Sequence, residues 1–84
     1  MPVRDLRVRY RQTSGQPVLV RENRFLFLDA TGASIWRAID GKATVADIAV
    51  VLADNSRMRP GEALVAVVSL VFELEKVGYC RRQR

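Results

Sequence analysis

Arg24-Phe25-Leu26-Phe27-Leu28-Asp29-Ala30-Thr31-Gly32-Ala33-Ser34-Ile35-Trp36 decides the fold, because its periodicity changes in the middle. Up to Leu28 side chains alternate between two faces, Phe25 and Phe27 on one and Leu26 and Leu28 on the other, as in a strand. From Asp29 onward Ala33, Ile35, Trp36 and Ile39 recur at helical spacing. Asp29 or Thr31 supplies the oxygen that caps this helix, and Asp40-Gly41 stops it about three turns later. The strand half is apolar on both faces, so one face can cover the domain's own core while the other needs a different explanation.

Outward on the N-terminal side lie two more strands. Leu6, Val8 and Tyr10 alternate with Arg7, Arg9 and Arg11, the period of a half-buried first strand over Leu6–Arg11. Thr13-Ser14-Gly15-Gln16-Pro17 is turn chemistry, Val18–Arg21 is a second strand, and Glu22-Asn23 is a two-residue link into the third, Arg24–Leu28. A three-stranded antiparallel meander follows, with the third strand at its edge.

On the C-terminal side the pattern stays helical. Thr44-Val45-Ala46-Asp47 is a capping-box variant that opens a second helix with an Ile48, Val51 and Leu52 stripe, running to about Asn55. Ser56–Arg59 is a loop, Pro60 suits the first position of a third helix, Glu62 its first turn, and Gly78 its exit. On a wheel of ~100° per residue, Val67, Leu70, Val71 and Leu74 of this helix share a face, with Leu64 and Val77 at the margins. Val65, Val68 and Phe72 fall on the opposite side, bordered by Ser69 and Lys76. One stripe is core. The other is either wrapped by the protein's own elements, used for self-association as a homodimer, or left as one wall of a groove whose second wall is the edge strand.

The expected architecture is therefore α+β, a small winged-helix-like domain in which a three-stranded antiparallel sheet is followed by three helices. Its 84 residues make one domain, with a core over about 6–79 and a frayed basic tail over 80–84. The N-terminus lacks the apolar run of a secretory signal, and the largely apolar Ala63–Phe72 stretch is far short of the ~20 residues that cross a bilayer. A cytoplasmic location without membrane contact is expected.

Composition narrows the chemistry. The absence of histidine and the single cysteine, Cys80, exclude a zinc finger, a Ser-His or Cys-His pair and an internal disulfide. Asp29, Asp40 and Asp47 each sit at a helix end, where capping explains them. Arg81 and Arg82 are cations that could lower the Cys80 thiol pKa, but a lone thiol beside a tail is inert more often than not. No catalytic residue, metal ligand or cofactor is expected. The net charge is +5, and of the 14 basic residues all but Lys42 and Lys76 are arginine. Arginine serves carboxylates as well as phosphates. The alternative of a winged-helix DNA-binding protein is weakened by the third helix, where Glu62, Glu73 and Glu75 outnumber Lys76 and no base-reading cluster occurs.

Val18-Leu19-Val20, Phe27-Leu28-Asp29-Ala30-Thr31-Gly32-Ala33-Ser34-Ile35-Trp36, Ile39-Asp40-Gly41, Thr44-Val45-Ala46-Asp47-Ile48 and Leu74-Glu75-Lys76-Val77-Gly78 together resemble the PqqD family. That family is named for the pyrroloquinoline quinone biosynthesis chaperone and is the prototype of recognition elements for ribosomally made, modified peptides. The resemblance covers Leu6 to Tyr79. Asp29 stands where many members carry Asn, and Tyr79-Cys80 replaces a more usual aliphatic ending. The resemblance implies a non-catalytic module that grips the leader of a precursor peptide. The leader adds as a strand beside the third strand and packs on the third helix, and the module presents the precursor to a tailoring enzyme such as a radical enzyme, a cyclase or a leader peptidase. On this chain the implied contacts are Arg24, Phe25, Leu26, Phe27 and Leu28 along the strand and Val65, Val68, Ser69, Phe72 and Lys76 on the helix. Arg24, and Arg21 behind it, are expected to attract leader carboxylates.

Overall fold

The computed structural model describes residues 1–82, which form β1 (Pro2–Arg4), β2 (Arg9–Thr13), β3 (Gln16–Arg21), β4 (Arg24–Phe27), α1 (Ala30–Ala38), α2 (Val45–Ser56), α3 (Pro60–Lys76) and β5 (Cys80–Arg82). The expected three-stranded antiparallel sheet is present with order β2-β3-β4, and the three helices follow it. The strand expected third is thus β4. It pairs with β3 through Val18↔Phe27, Leu19↔Leu26, Val20↔Phe25 and Arg21↔Arg24, so Glu22 and Asn23 are the whole of the connecting turn.

Capping oxygens fix the helix starts as their positions predict. Asp29 Oδ1 accepts the Gly32 N–H at 2.6 Å. Thr44 Oγ1 accepts the Asp47 N–H while the Asp47 carboxylate accepts the Thr44 N–H, each at 3.0 Å, a complete capping box. α3 begins with Pro60 and leaves through Gly78 at φ +80°, where the Tyr79 N–H donates to the Leu74 carbonyl at 2.8 Å. A side chain at residue 78 would be strained at this φ, and its Cβ would stand 2.9 Å from Arg21 Nη1.

The core gathers Leu19 and Leu28 from the sheet side, Ile35, Trp36 and Ile39 from the α1 region, Ile48, Ala49 and Leu52 from α2, and Ala63, Val67, Val71 and Leu74 from α3. Leu26 and Tyr10 pack against it from one face of the sheet, and Val8 from the turn that precedes β2.

Four expectations need correction. The first strand starts at Arg9 rather than Leu6: Asp5 accepts the Arg7 N–H at 2.8 Å through its carboxylate and the Val8 N–H at 3.1 Å through its carbonyl, closing a turn that throws Leu6 into solvent. Cys80–Arg82 are not a frayed tail but a strand antiparallel to β1, in the register Pro2↔Arg82, Val3↔Arg81, Arg4↔Cys80; Gln83 and Arg84 lie outside the described residues. In α2 the buried arc runs Ile48, Ala49, Leu52, which leaves Val51 half exposed instead of in the core. In α3 Ala63 takes the deep position and Leu70 is only partly buried.

Candidate functional site

Among the described residues β4 is bonded on one side only. The Leu28 N–H donates to the Pro17 carbonyl at 2.9 Å, so Leu28 and, by alternation, Leu26 and Arg24 turn their peptide groups toward β3. The peptide N–H and C=O groups of Phe25 and Phe27 therefore point away from the sheet, along an open edge. Side chains follow the opposite logic: Leu26 faces the core, while the rings of Phe25 and Phe27 stand on the outer face at 65% and 55% exposure. Leu28 is buried, so among the expected strand contacts it belongs to the core rather than to a surface.

The second wall is α3. Val65, Val68 and Phe72, expected on its outer side, are 46–66% exposed, and Ser69 and Lys76 are exposed beside them. None of the described elements wraps this stripe. The two ends of β4 locate it against the helix. At its start, Arg21 Nη1 donates to the Gly78 carbonyl at 3.0 Å, and Arg21, Glu22 and Arg24 line a small hollow with Tyr79 just past the end of α3. At its far end a cleft of about 310 Å³ opens between α1 and α3, lined by Asp29, Thr31, Gly32, Ile35, Ala66, Ser69, Leu70 and Glu73. β4 thus runs along the C-terminal half of α3.

The structure refines the expected set. Ser69 lines the cleft, and Val65 and Phe72 lie within ~60° of it around the helix. Val68 lies ~100° away. It follows Leu64 by one turn, and Leu64 lines a separate apolar cleft of about 270 Å³ with Ala49, Val50 and Ala53 of α2. Arg21 is not a free cation for a ligand: its guanidinium holds Gly78 and lies 3.9 Å from the Asp5 carboxylate. Arg24 and Lys76 are exposed, Arg24 at the start of β4 and Lys76 one turn after Phe72 on α3. Thr31, Gly32, Ala66 and Glu73 were not anticipated. Their signal is a run of small residues in the first turn of α1 facing small residues three apart on α3, legible only once the two helices are known to meet.

A larger cleft of about 490 Å³ sits at the β1–β5 end, lined by Val3–Arg7, Gly78, Cys80 and Arg81. Two of its lining residues, Asp5 and Gly78, are the ones Arg21 contacts at the start of the β3–β4 turn, and its Arg7 guanidinium is held by Asp5 at 3.0 Å. Burial pushes the Cys80 thiol up to about 11, the nearby Glu75 adding to the effect and Arg82 opposing it. Its Sγ lies 3.8 Å from the Val71 carbonyl. A thiol so protonated is a poor nucleophile. Among the described residues no helix is long and apolar enough to cross a membrane.

An antiparallel meander backed by three helices, with one sheet edge unpaired beside an uncovered helix ridge, defines a small α+β domain. Its fold is similar to the solution NMR structure of the PqqD truncation of Methylobacterium extorquens PqqCD, described as a functional and stand-alone ribosomally synthesized and post-translational modified (RiPP) recognition element (RRE). That likeness has a TM-score of 0.78 and 24% identity, over 96% of this chain and 88% of that one. No curated protein matches the chain. The profile of the family described as Coenzyme PQQ synthesis protein D (PqqD) matches residues 17–79, and the chain belongs to that family, as its motifs imply.

Proposed function

We propose that this chain is a non-catalytic module that captures the leader of a ribosomally made precursor peptide and presents it to a tailoring enzyme. The observation that carries the reading is the open β4 edge, with the peptide groups of Phe25 and Phe27 turned outward beside the exposed Val65, Ser69 and Phe72 of α3. The family and the description of the Methylobacterium relative support it.

An extended peptide pairs its main chain with Phe25 and Phe27 whatever its sequence, and this sets register. Its alternate side chains then fall toward α3, where the apolar floor of Gly32, Ile35, Ala66 and Leu70 accepts a hydrophobic group. Burying one such side chain is worth roughly 1.5–3 kcal/mol, against ~0–1 kcal/mol for an exposed ion pair at Arg24 or Lys76. Apolar contacts therefore set affinity, and the cations set approach and orientation. Duplex DNA is a poor fit, because the exposed surface of α3 carries Val65, Val68 and Phe72 with Glu62 and Glu73 along one flank, against the single cation Lys76.

Amide hydrogen exchange tests the reading. When a leader peptide from a short reading frame neighbouring this chain's own is added, the Phe25 and Phe27 amides should gain at least tenfold protection. Those of Leu26 and Leu28, already turned toward β3, should change little. Tight binding without protection at Phe25 and Phe27 would exclude strand addition.

A further inference from the structure

The outer face of the three-stranded sheet, opposite the core, is built from two identical rows. The register aligns Arg9, Val20 and Phe25 in one and Arg11, Val18 and Phe27 in the next. Val18 is buried yet is not part of the contiguous core, which places it beneath this face between Arg11 and Phe27. Both phenylalanine rings are exposed, both arginines are exposed, and neither guanidinium has a partner among the described residues. No aspartate or glutamate lies in the paired registers of β2, β3 and β4. With Val18 already covered and Val20 partly so, what this face leaves open is an aromatic border on one side and two unneutralised cations on the other: it lacks carboxylates over one edge and hydrophobic side chains over the other.

We infer that this face is a second docking surface, and that its occupant is an amphipathic helix of a partner protein with carboxylates along one flank. The dimensions fit. Arg9 and Arg11 are two residues apart on a strand, ~6.8 Å, close to the ~6 Å between helix positions four apart. The arginine and phenylalanine columns are two strand spacings apart, ~9.6 Å, which a helix ~10 Å wide spans, carboxylates over the arginines and apolar residues over the rings. Single-stranded nucleic acid fits less well. Two guanidinium groups neutralise only about two phosphates, and the valines between them offer no stacking surface. The face uses the side chains of Phe25 and Phe27, whereas strand addition uses their peptide groups, so helix and peptide can be bound together.

The test titrates the full chain with a stapled synthetic helix about four turns long, bearing Glu at i and i+4 on one flank and Leu and Phe on the next. A control peptide has Lys in place of Glu. Amide and guanidinium ¹⁵N shifts should move at Arg9, Arg11, Val18, Val20, Phe25 and Phe27. The Arg9→Glu/Arg11→Glu variant should lose affinity for the Glu helix at least tenfold and gain it for the Lys helix. If reversal unfolds the sheet by its melting curve, Arg9→Gln/Arg11→Gln should show the same loss without the gain. Equal binding of both helices to the unaltered chain, shifts confined to α2 and α3, tighter binding of an oligo-dT strand at physiological salt, or self-association that fills the face without peptide would each overturn the inference.

Discussion

Glu22 holds a left-handed φ of 57° at the first position of the turn between β3 and β4, where hairpins of this length favour glycine. The left-handed region costs an L-residue roughly 1–2 kcal/mol, and glycine returns about 0.4–1 kcal/mol of that as unfolded-chain entropy. Glu22→Gly should therefore stabilise the domain by about 0.5–1 kcal/mol, read as a higher urea midpoint at unchanged slope. Asp5 makes a second residue-level prediction. Hydrogen bonds from the Arg7 side chain and then the Arg7 N–H, reinforced by the charges of Arg7 and Arg21, hold its carboxyl at about 2 instead of 3.8. A lowered folded value means that the stabilisation is complete above about 4 and disappears as pH falls toward 2. Asp5→Asn keeps an acceptor for the turn but removes the charge. Its melting temperature should lie below that of the unaltered protein at pH 6 and converge with it near pH 2; parallel curves would show that the pair contributes nothing.

At the scale of an element, α3 separates stability from binding within one turn. Leu74 is fully buried and Phe72 is 58% exposed, two residues away on the far side of the helix. Leu74→Asp places an unpaired carboxylate in the core at a cost above ~4 kcal/mol, comparable with the lower end of the roughly 4–12 kcal/mol available to a domain this size. It should abolish cooperative unfolding. Phe72→Asp should leave the melting curve nearly in place and weaken leader binding at least tenfold, as measured by calorimetric titration. The helix phase that separates these residues was legible in sequence because it depends only on 3.6-residue spacing, and the caps at Asp29, Thr44 and Asp47 were legible because donor and acceptor lie three residues apart. The floor of the cleft was not. Gly32 and Ala66 matter through the space they leave between two helices, which no single element encodes. Nor was the loss of Arg21 to the Gly78 carbonyl legible, a contact between residues 57 apart in the chain.

For the whole molecule, the feature hidden from sequence is the clasp between β1 and β5. Each strand has three residues, one begins with proline, the other is two arginines after a cysteine, and nearly the full chain separates them. Such segments carry no periodicity, and Arg81-Arg82 is the composition of a solvated tail. Tertiary contacts make the strands: Arg82 Nε reaches Glu75 at 3.0 Å, Arg4 lies 5.6 Å from the centre of the Trp36 ring, and Pro2 and Cys80 are buried. The clasp seals the end of the core next to α3, and Cys80 reports on it. With the thiol pushed up to about 11, about one molecule in a thousand carries a thiolate at pH 8, and burial screens even that fraction. Excising residues 1–4 removes the strand that pairs with Arg4's partner Cys80 and with Arg81 and Arg82, so the thiol should meet water and return toward an ordinary value near 9. Labelling by a disulfide reagent at pH 8 should then accelerate by one to two orders of magnitude in the truncated protein, while protection of the β3 and β4 amides persists. If labelling stays slow, Cys80 is shielded by α3 alone; if the β3 and β4 protection is lost as well, the clasp is part of the cooperative core rather than a seal on its end.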